Sequence, residues 1–256
     1  MEKFTFKKSV GILSLHAHLH DFSYKTHAHE EYAIGVTMRG IQQYHLNGAL
    51  QLSHKNGVML FNPEQMHDGA AHNKEGLDYR MLYIEPSLLL EATEQKELIV
   101  FSEPIVYDQQ LSSRVLQLSS AIATGNDALS YERFLSLADR LQTRDFVTFP
   151  HDSKKLACIK ELLHTHLDGV LSLEWIAEEV ALSKFQLIRY FKQHVGIKPY
   201  QYFLNCKIAY AKQLLEQTKD VYAAVVGCGF TDLTHLNRHF KYVYGITAFD
   251  YAQQMH

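Results

Sequence analysis

One segment of this chain is written twice, and that duplication limits the fold more than any other feature of the sequence. Arg189-Tyr190-Phe191-Lys192 followed by Gly196-Ile197 is matched by Arg238-His239-Phe240-Lys241 followed by Gly245-Ile246. Every matched pair stands 49 positions apart, as 238 stands from 189, and Leu187 with Leu236 and Tyr202 with Tyr251 keep the offset. An internal repeat is one supersecondary unit used again, so it governs how single elements are read. The repeated unit here is two helices and a turn.

In the first copy Leu173, Ile176, Ala177 and Val180 fall on one helical face, and Ala181-Leu182 makes a short break. Ser183 with Gln186 then forms a capping box that opens a second helix. Helix, tight turn, helix is the arrangement that lays its second helix in the major groove of double-stranded DNA. Leu187 and Phe191, one turn apart, point inward and leave Lys184, Phe185, Ile188, Arg189 and Lys192 outside. In the second copy Gly229 is the expected helix stop and Asp232 the expected N-cap. Leu236 and Phe240 face in there, and Leu233, Thr234, Asn237, Arg238 and Lys241 face out. Arg can pair bidentately with guanine, Asn with adenine, and Ile or Leu can touch thymine methyl groups. Lys192 and Lys241 suit phosphates. The bland alternative, a solvated face of an ordinary helix bundle, would not be expected to recur at a fixed offset.

These residues resemble the DNA-binding domain of the AraC/XylS-type transcription regulators. The resemblance runs from Leu156 to the C-terminus and is carried by Leu182-Ser183, Arg189-Tyr190-Phe191-Lys192, Gly196-Ile197-Lys198-Pro199, Gly229-Phe230-Thr231-Asp232 and Phe240-Lys241. It implies two helix-turn-helix units joined by a long helix, here Tyr200–Gln217. It also implies base-reading positions at Phe185, Ile188 and Arg189 and at Leu233, Thr234, Asn237 and Arg238. Two departures fall in the second unit: Ala224-Val225 where the family usually has Ile-Ala, and Ala248 where it usually has proline. The second unit is therefore expected to be the looser of the two. Activation, contact with RNA polymerase, a homodimer and a cytoplasmic location are what the resemblance implies for partners and setting.

The N-terminal half reads differently. From Val10 to Ile84 short strands alternate with turn signals: Asn47-Gly48 lies between Ile41–Leu46 and Ala49–Ser53, and Asn56-Gly57 precedes Val58–Phe61. A small antiparallel barrel or sandwich is expected. The segments His27-Ala28-His29 to Gly40 and Gly57, Pro63, His67 resemble the two motifs of cupin barrels. Residues 1–85 are thus expected to be a cupin-like ligand-sensing barrel. Helical spacing in Ser87–Val100, Leu111–Ala123 and Leu129–Phe146 makes 86–147 a helical relay or dimerisation segment. A linker is expected at 148–153 and an all-α DNA-binding domain at 154–256.

His27 and His29, two apart on a strand, share a face. With His67 they could seat a divalent metal, since imidazole suits Zn, Ni, Cu or Fe. The acid that usually follows the second histidine in metal-binding cupins is out of place, because Glu30 and Glu31 come too early. The same histidines with Tyr44 could instead line a pocket for an organic effector, joined by Tyr32, Arg39 and Arg80.

Charge and cysteine usage narrow the field. The chain carries 25 Lys+Arg against 28 Asp+Glu, a formal net charge of -3. Up to Ser153 there are 13 basic and 19 acidic residues, and from Lys154 onward 12 and 9. A mildly basic C-terminal half permits DNA binding without demanding it. Cys158, Cys206 and Cys228 form no Cys-x-x-Cys pair, which argues against a thiolate zinc site and leaves Cys206 and Cys228 as expected packing residues. No apolar run of membrane-spanning length is present. The reading that unites these features is a ligand-responsive, non-enzymatic regulator of transcription. Its rivals are a metal-dependent cupin enzyme with a DNA-binding appendage and a ligand-independent DNA-binding dimer.

Overall fold

The computed structural model describes residues 2–95, 97–142 and 153–255. They fall into two compact units, one on each side of the expected linker. Of that linker, 148–152 lie outside the described residues, while Ser153 is the N-cap of a helix and accepts a hydrogen bond from Leu156 N.

Among the described residues the first unit holds ten strands: β1 Lys3–Ser9, β2 Ile12–Leu19, β3 Ser23–His27, β4 Tyr32–Arg39, β5 Gln42–Leu46, β6 Ala49–Ser53, β7 Val58–Phe61, β8 His67–Ala71, β9 Leu77–Ile84 and β10 Ile105–Val106. They form two antiparallel sheets, ordered β1-β2-β9-β4-β7-β10 and β3-β8-β5-β6. The expected hairpin at Asn47-Gly48 is present. Both residues take positive φ, 51° and 80°, the mirror-image turn whose twist matches that of the flanking strands.

β1 was not among the expected strands, because its three lysines hide an alternation in which Phe4 and Phe6 point inward. The six-stranded sheet is completed only by β10, beyond residue 85. The expected helix Ser87–Val100 is shorter, α1 Pro86–Thr93, because Glu94 turns into the left-handed region at φ 54° and ends it. α2 Gln109–Thr124 and α3 Asp127–Gln142 follow, and residues 143–146 of the expected third helix lie outside the described residues.

Leu111, Val115, Leu118 and Ile122 of α2 share one core with Ile34, Val36, Leu60 and Leu82 of the six-stranded sheet and with Phe134 and Leu137 of α3. Each such side chain contributes about 1.5–3 kcal/mol when fully buried. The helices are therefore packed into the β-unit by its main hydrophobic core, and the histidines are enclosed between the two sheets, against Phe61, Tyr79, Met81 and Tyr83 of the six-stranded one.

The second unit is all-α: α4 Lys154–His164, α5 Leu173–Glu179, α6 Lys184–Val195, α7 Pro199–Thr218, α8 Val221–Gly227, α9 Leu233–Tyr244 and α10 Ala248–Gln254. α10 had no counterpart among the expected helices. The 20 residues of α7 make a rod of about 30 Å at 1.5 Å per residue. It is buried on several sides, through Tyr202, Phe203, Cys206, Ile208, Ala211 and Leu215, as its sequence predicts. Lys207 is buried in the rod. Its ammonium donates to Gly169 O at 2.7 Å and Gly229 O at 3.4 Å and lies over the rings of Phe203 and Phe230. Cys206 and Cys228 are both buried.

Candidate nucleic-acid interface and internal histidine site

Both helix-turn-helix copies are built from their caps inward. Ser172 caps α5 by accepting from Trp175 N at 3.2 Å, and Asp220 caps α8 by accepting from Tyr222 N at 2.8 Å. In the first turn Ala181 N donates to Glu178 O and Leu182 N to Ala177 O. In the second, Gly229 N donates to Val226 O and Phe230 N to Val225 O. Ser183 then caps α6 with both arms of the capping box, accepting from Gln186 N at 3.2 Å while its own N–H donates to Gln186 Oε1 at 2.8 Å. Asp232 caps α9 alone, accepting from His235 N at 2.7 Å. The turn from Ala181 to Ser183 spans one residue fewer than that from Gly229 to Asp232. The repeat therefore keeps an offset of 48 through the first helix of each copy, from Ser172 to Asp220, and 49 thereafter, from Ser183 to Asp232.

α6 buries Leu187 and Phe191, and α9 buries Leu236 and Phe240, all at 0% exposure. This fixes the outward faces. On α6 Phe185 is 79% exposed, Arg189 and Lys192 are exposed, and Ile188 is half-buried. Lys184 is exposed too, but its ammonium is paired with Glu174 of α5. On α9 Thr234, Arg238 and Lys241 are exposed and Leu233 is half-buried. Arg189, Lys192, Arg238 and Lys241 have no hydrogen bond or ion pair with the other described residues. Four cations at repeated positions on two parallel designs are thus left for an external anion.

Asn237 differs from the other expected base readers. It is half-buried, and its Oδ1 accepts from Ala248 N at 2.9 Å. The corresponding pair in the first copy is Ile188 and Pro199. Proline opens α7 without an N–H that needs a partner. Ala248 restores that N–H, and Asn237 supplies its acceptor. A bidentate pair with adenine would need this same oxygen.

In the first unit the structure brings His27, His29 and His67 together. All three are buried, with one ligand nitrogen from each lying within 4.8 Å of the others. β3 and β8 pair antiparallel, and His27 stands directly across from His67. The Nδ1 atoms of His27 and His67 lie 2.6 and 2.8 Å from the carbonyl oxygens of Lys25 and Gln65, in each case two residues back. Donation to a carbonyl fixes both tautomers and leaves Nε2 with its lone pair. His27 Nε2 lies 3.1 Å from His29 Nε2. Burial pushes the His27 imidazole down to about 3, helped by the charge of His67, and pushes His67 down to about 4. Both are neutral near pH 7, the form that ligates metals.

The histidines share a cavity of about 20 Å³ with Tyr24, Gln42, Phe61, Asp68, Gly69, Tyr79, Met81 and Tyr83. Tyr44, expected here, is not among the lining residues: it is buried beside Phe61 and its hydroxyl donates to Pro104 O at 3.1 Å. Tyr32 donates to Ile99 O on the helical side of the sheet, Arg39 is exposed, and Arg80 reaches Ser120 of α2. The lining residues that sequence reasoning missed carried a signal. Gln42, Tyr44 and Leu46 alternate inward along β5, and a glutamine at such a position is the exception to explain.

A β-rich unit with an enclosed polar site and an α-unit with two capped DNA-reading motifs define the class of sensory DNA-binding regulators. Residues 9–138 match the AraC-like ligand binding domain and residues 176–254 a helix-turn-helix domain. The chain belongs to the AraC family of transcription regulators. It is 28% identical over 245 residues to the uncharacterized HTH-type transcriptional regulator YbfI of Bacillus subtilis, covering 88% of each chain. It is 33% identical over 84 residues to the HTH-type transcriptional activator RhaS of Escherichia fergusonii, 32% of this chain and 30% of that one. Its fold is similar to that of unsaturated fatty acid bound ToxT from Vibrio cholerae, with a TM-score of 0.63, 13% identity and 97% of each chain covered. None of the described helices is long and apolar enough to cross a membrane.

Proposed function

We propose that this chain is a ligand-responsive activator that binds promoter DNA as a homodimer in the cytoplasm, with α6 and α9 as its base-reading helices. The observation that carries the reading is the pair of Arg–Lys sets without a partner among the described residues, Arg189 with Lys192 and Arg238 with Lys241, at equivalent positions of two capped helices. Phe185, Ile188 and Arg189 contact bases from α6, and Leu233, Thr234 and Arg238 from α9. Lys184, Lys192 and Lys241 hold phosphates, Lys184 by exchanging Glu174 for the backbone. Asn237 serves the frame of the second copy. Activation is supported by the RhaS relationship and requires contact with RNA polymerase, while α2 and α3 supply the dimer surface and the relay from the effector site.

The test is selection of a binding site from random duplexes followed by affinity measurements at fixed salt. Arg189→Ala and Arg238→Ala should each weaken the selected site by about 1–3 kcal/mol and relax preference at one position, whereas Lys192→Ala should weaken all sequences alike. Unchanged affinity and preference in both arginine variants would remove α6 and α9 from the grooves. A promoter reporter that falls below its basal level when the chain is expressed would reverse the sign of regulation.

A further inference from the structure

The internal site of the β-unit contains one polar atom whose partner is missing. Gln42 is 4% exposed, lines the same cavity as the histidines, and its Oε1 accepts no hydrogen bond from any described residue. A buried amide oxygen left in this way is unfavourable unless something outside the chain satisfies it. Three other polar groups around the cavity, apart from the histidines, are engaged. The hydroxyls of Tyr24 and Tyr79 bond each other at 2.7 Å, and Asp68 is held by the backbone and ring of His45 at 2.6 and 2.9 Å.

β3, β8 and β5 are consecutive in the four-stranded sheet. His27 stands directly across from His67, while Gln42 stands across from Ala71, four residues further along β8, and lines the same cavity from there. The cavity holds about 20 Å³, against roughly 300–1,000 Å³ for pockets that enclose organic ligands. It matches a single ion and its nearest neighbours. The donors match as well: His27 and His67, neutral and with carbonyl-fixed tautomers, present Nε2 lone pairs, His29 adds a third imidazole, and the glutamine adds an uncharged oxygen. Backbone acceptors behind His27 and His67 are the supports that ligating histidines ordinarily have.

We propose that His27, His29, His67 and Gln42 Oε1 form a binding site for a divalent first-row transition ion, and that this ion is the effector of the regulator. The site stands on the geometry above; the effector role rests on the regulator reading. All four donors are uncharged, and the carboxylate in the cavity lining is that of Asp68.

Cobalt(II) titration of the full chain, purified and stripped of metal, tests the site. Visible absorption should saturate near one equivalent, be lost in His67→Ala, and require 10–100-fold more cobalt in Gln42→Leu. The metal-free Gln42→Leu protein should melt at or above the wild-type temperature, since leucine removes an unsatisfied acceptor of similar size; a lower melting temperature would mark Gln42 as a structural hydrogen-bonder and overturn its role. No saturable absorption in folded wild type would overturn the site. With a selected DNA duplex, cobalt and a chelator should give affinities at least tenfold apart. Equal affinities with cobalt bound would overturn the effector role and leave the DNA-binding reading intact, whereas cobalt uptake without binding to any duplex would sustain the site and defeat that reading.

Discussion

The two helix-turn-helix copies solve the same folding problem with different residues, and the differences fall where backbone groups must be satisfied. The first copy uses a short turn with Ala181 at φ 51°, a two-armed capping box at Ser183 and a proline at the start of the helix that follows. The second uses a turn one residue longer with Gly229 at φ 58°, a single Asp232 cap, and Ala248 in place of the proline. The lesson is that a residue on the reading face, Asn237, has been drawn into the frame of the second copy because an N–H was restored elsewhere.

The sharpest way to break the comparison is at the turns. A Cβ on Gly229 would lie 1.9 Å from Asp168 O, in a conformation that already disfavours side chains. Gly229→Ala should therefore destabilise by more than about 2 kcal/mol, read from the denaturant midpoint. Ala181→Gly should stay within about 1 kcal/mol of wild type, because relief of left-handed strain offsets the added freedom of the unfolded chain. Equal losses in the two variants would mean that the turns are interchangeable.

A smaller effect tests the frame. Asn237→Ala should cost about 1 kcal/mol by leaving Ala248 N without its acceptor. In an Ala248→Pro background the same change should cost almost nothing, since proline has no N–H to satisfy. A cost independent of residue 248 would show that Asn237 is held for another reason. The smallest expected effect concerns phosphates: Lys192→Ala and Lys241→Ala should each lower the slope of log affinity against log salt by about 1. A zero change in Lys241→Ala alone would show that the second copy stands off the backbone.

Much of this was legible in the chain, for reasons particular residues show. Ser183-Gln186 and Asp232 declare their helices because caps are local, and Leu187/Phe191 and Leu236/Phe240 declare the buried face because helical periodicity is local. His27 and His29 were expected two apart on one strand, but β3 ends at His27 and His29 reaches the cavity from the segment beyond it, while a motif resemblance supplied His67. Gln42 shows in its own window only as an inward polar residue on β5; that it and Tyr79 of β9 line one cavity depends on the packing of two sheets, which no short window contains. Tyr44 misled because an inward position on a strand does not say which neighbour its hydroxyl meets, and Pro104 is 60 residues away in sequence. β1 was hidden by lysines on its exposed positions, and the role of Asn237 by its dependence on residue 248.

Lys207 gives the second unit a property that neither copy has alone. Its ammonium, whose basicity burial lowers, is shared between a carbonyl ahead of the first copy, Gly169, and one in the turn of the second, Gly229. A common donor makes the copies creditors of one proton-bearing group: loosening either turn leaves the other with a charge less well held. The two copies are therefore tied through the rod between them, and a substitution that unseats the shared donor beside one is felt by the other.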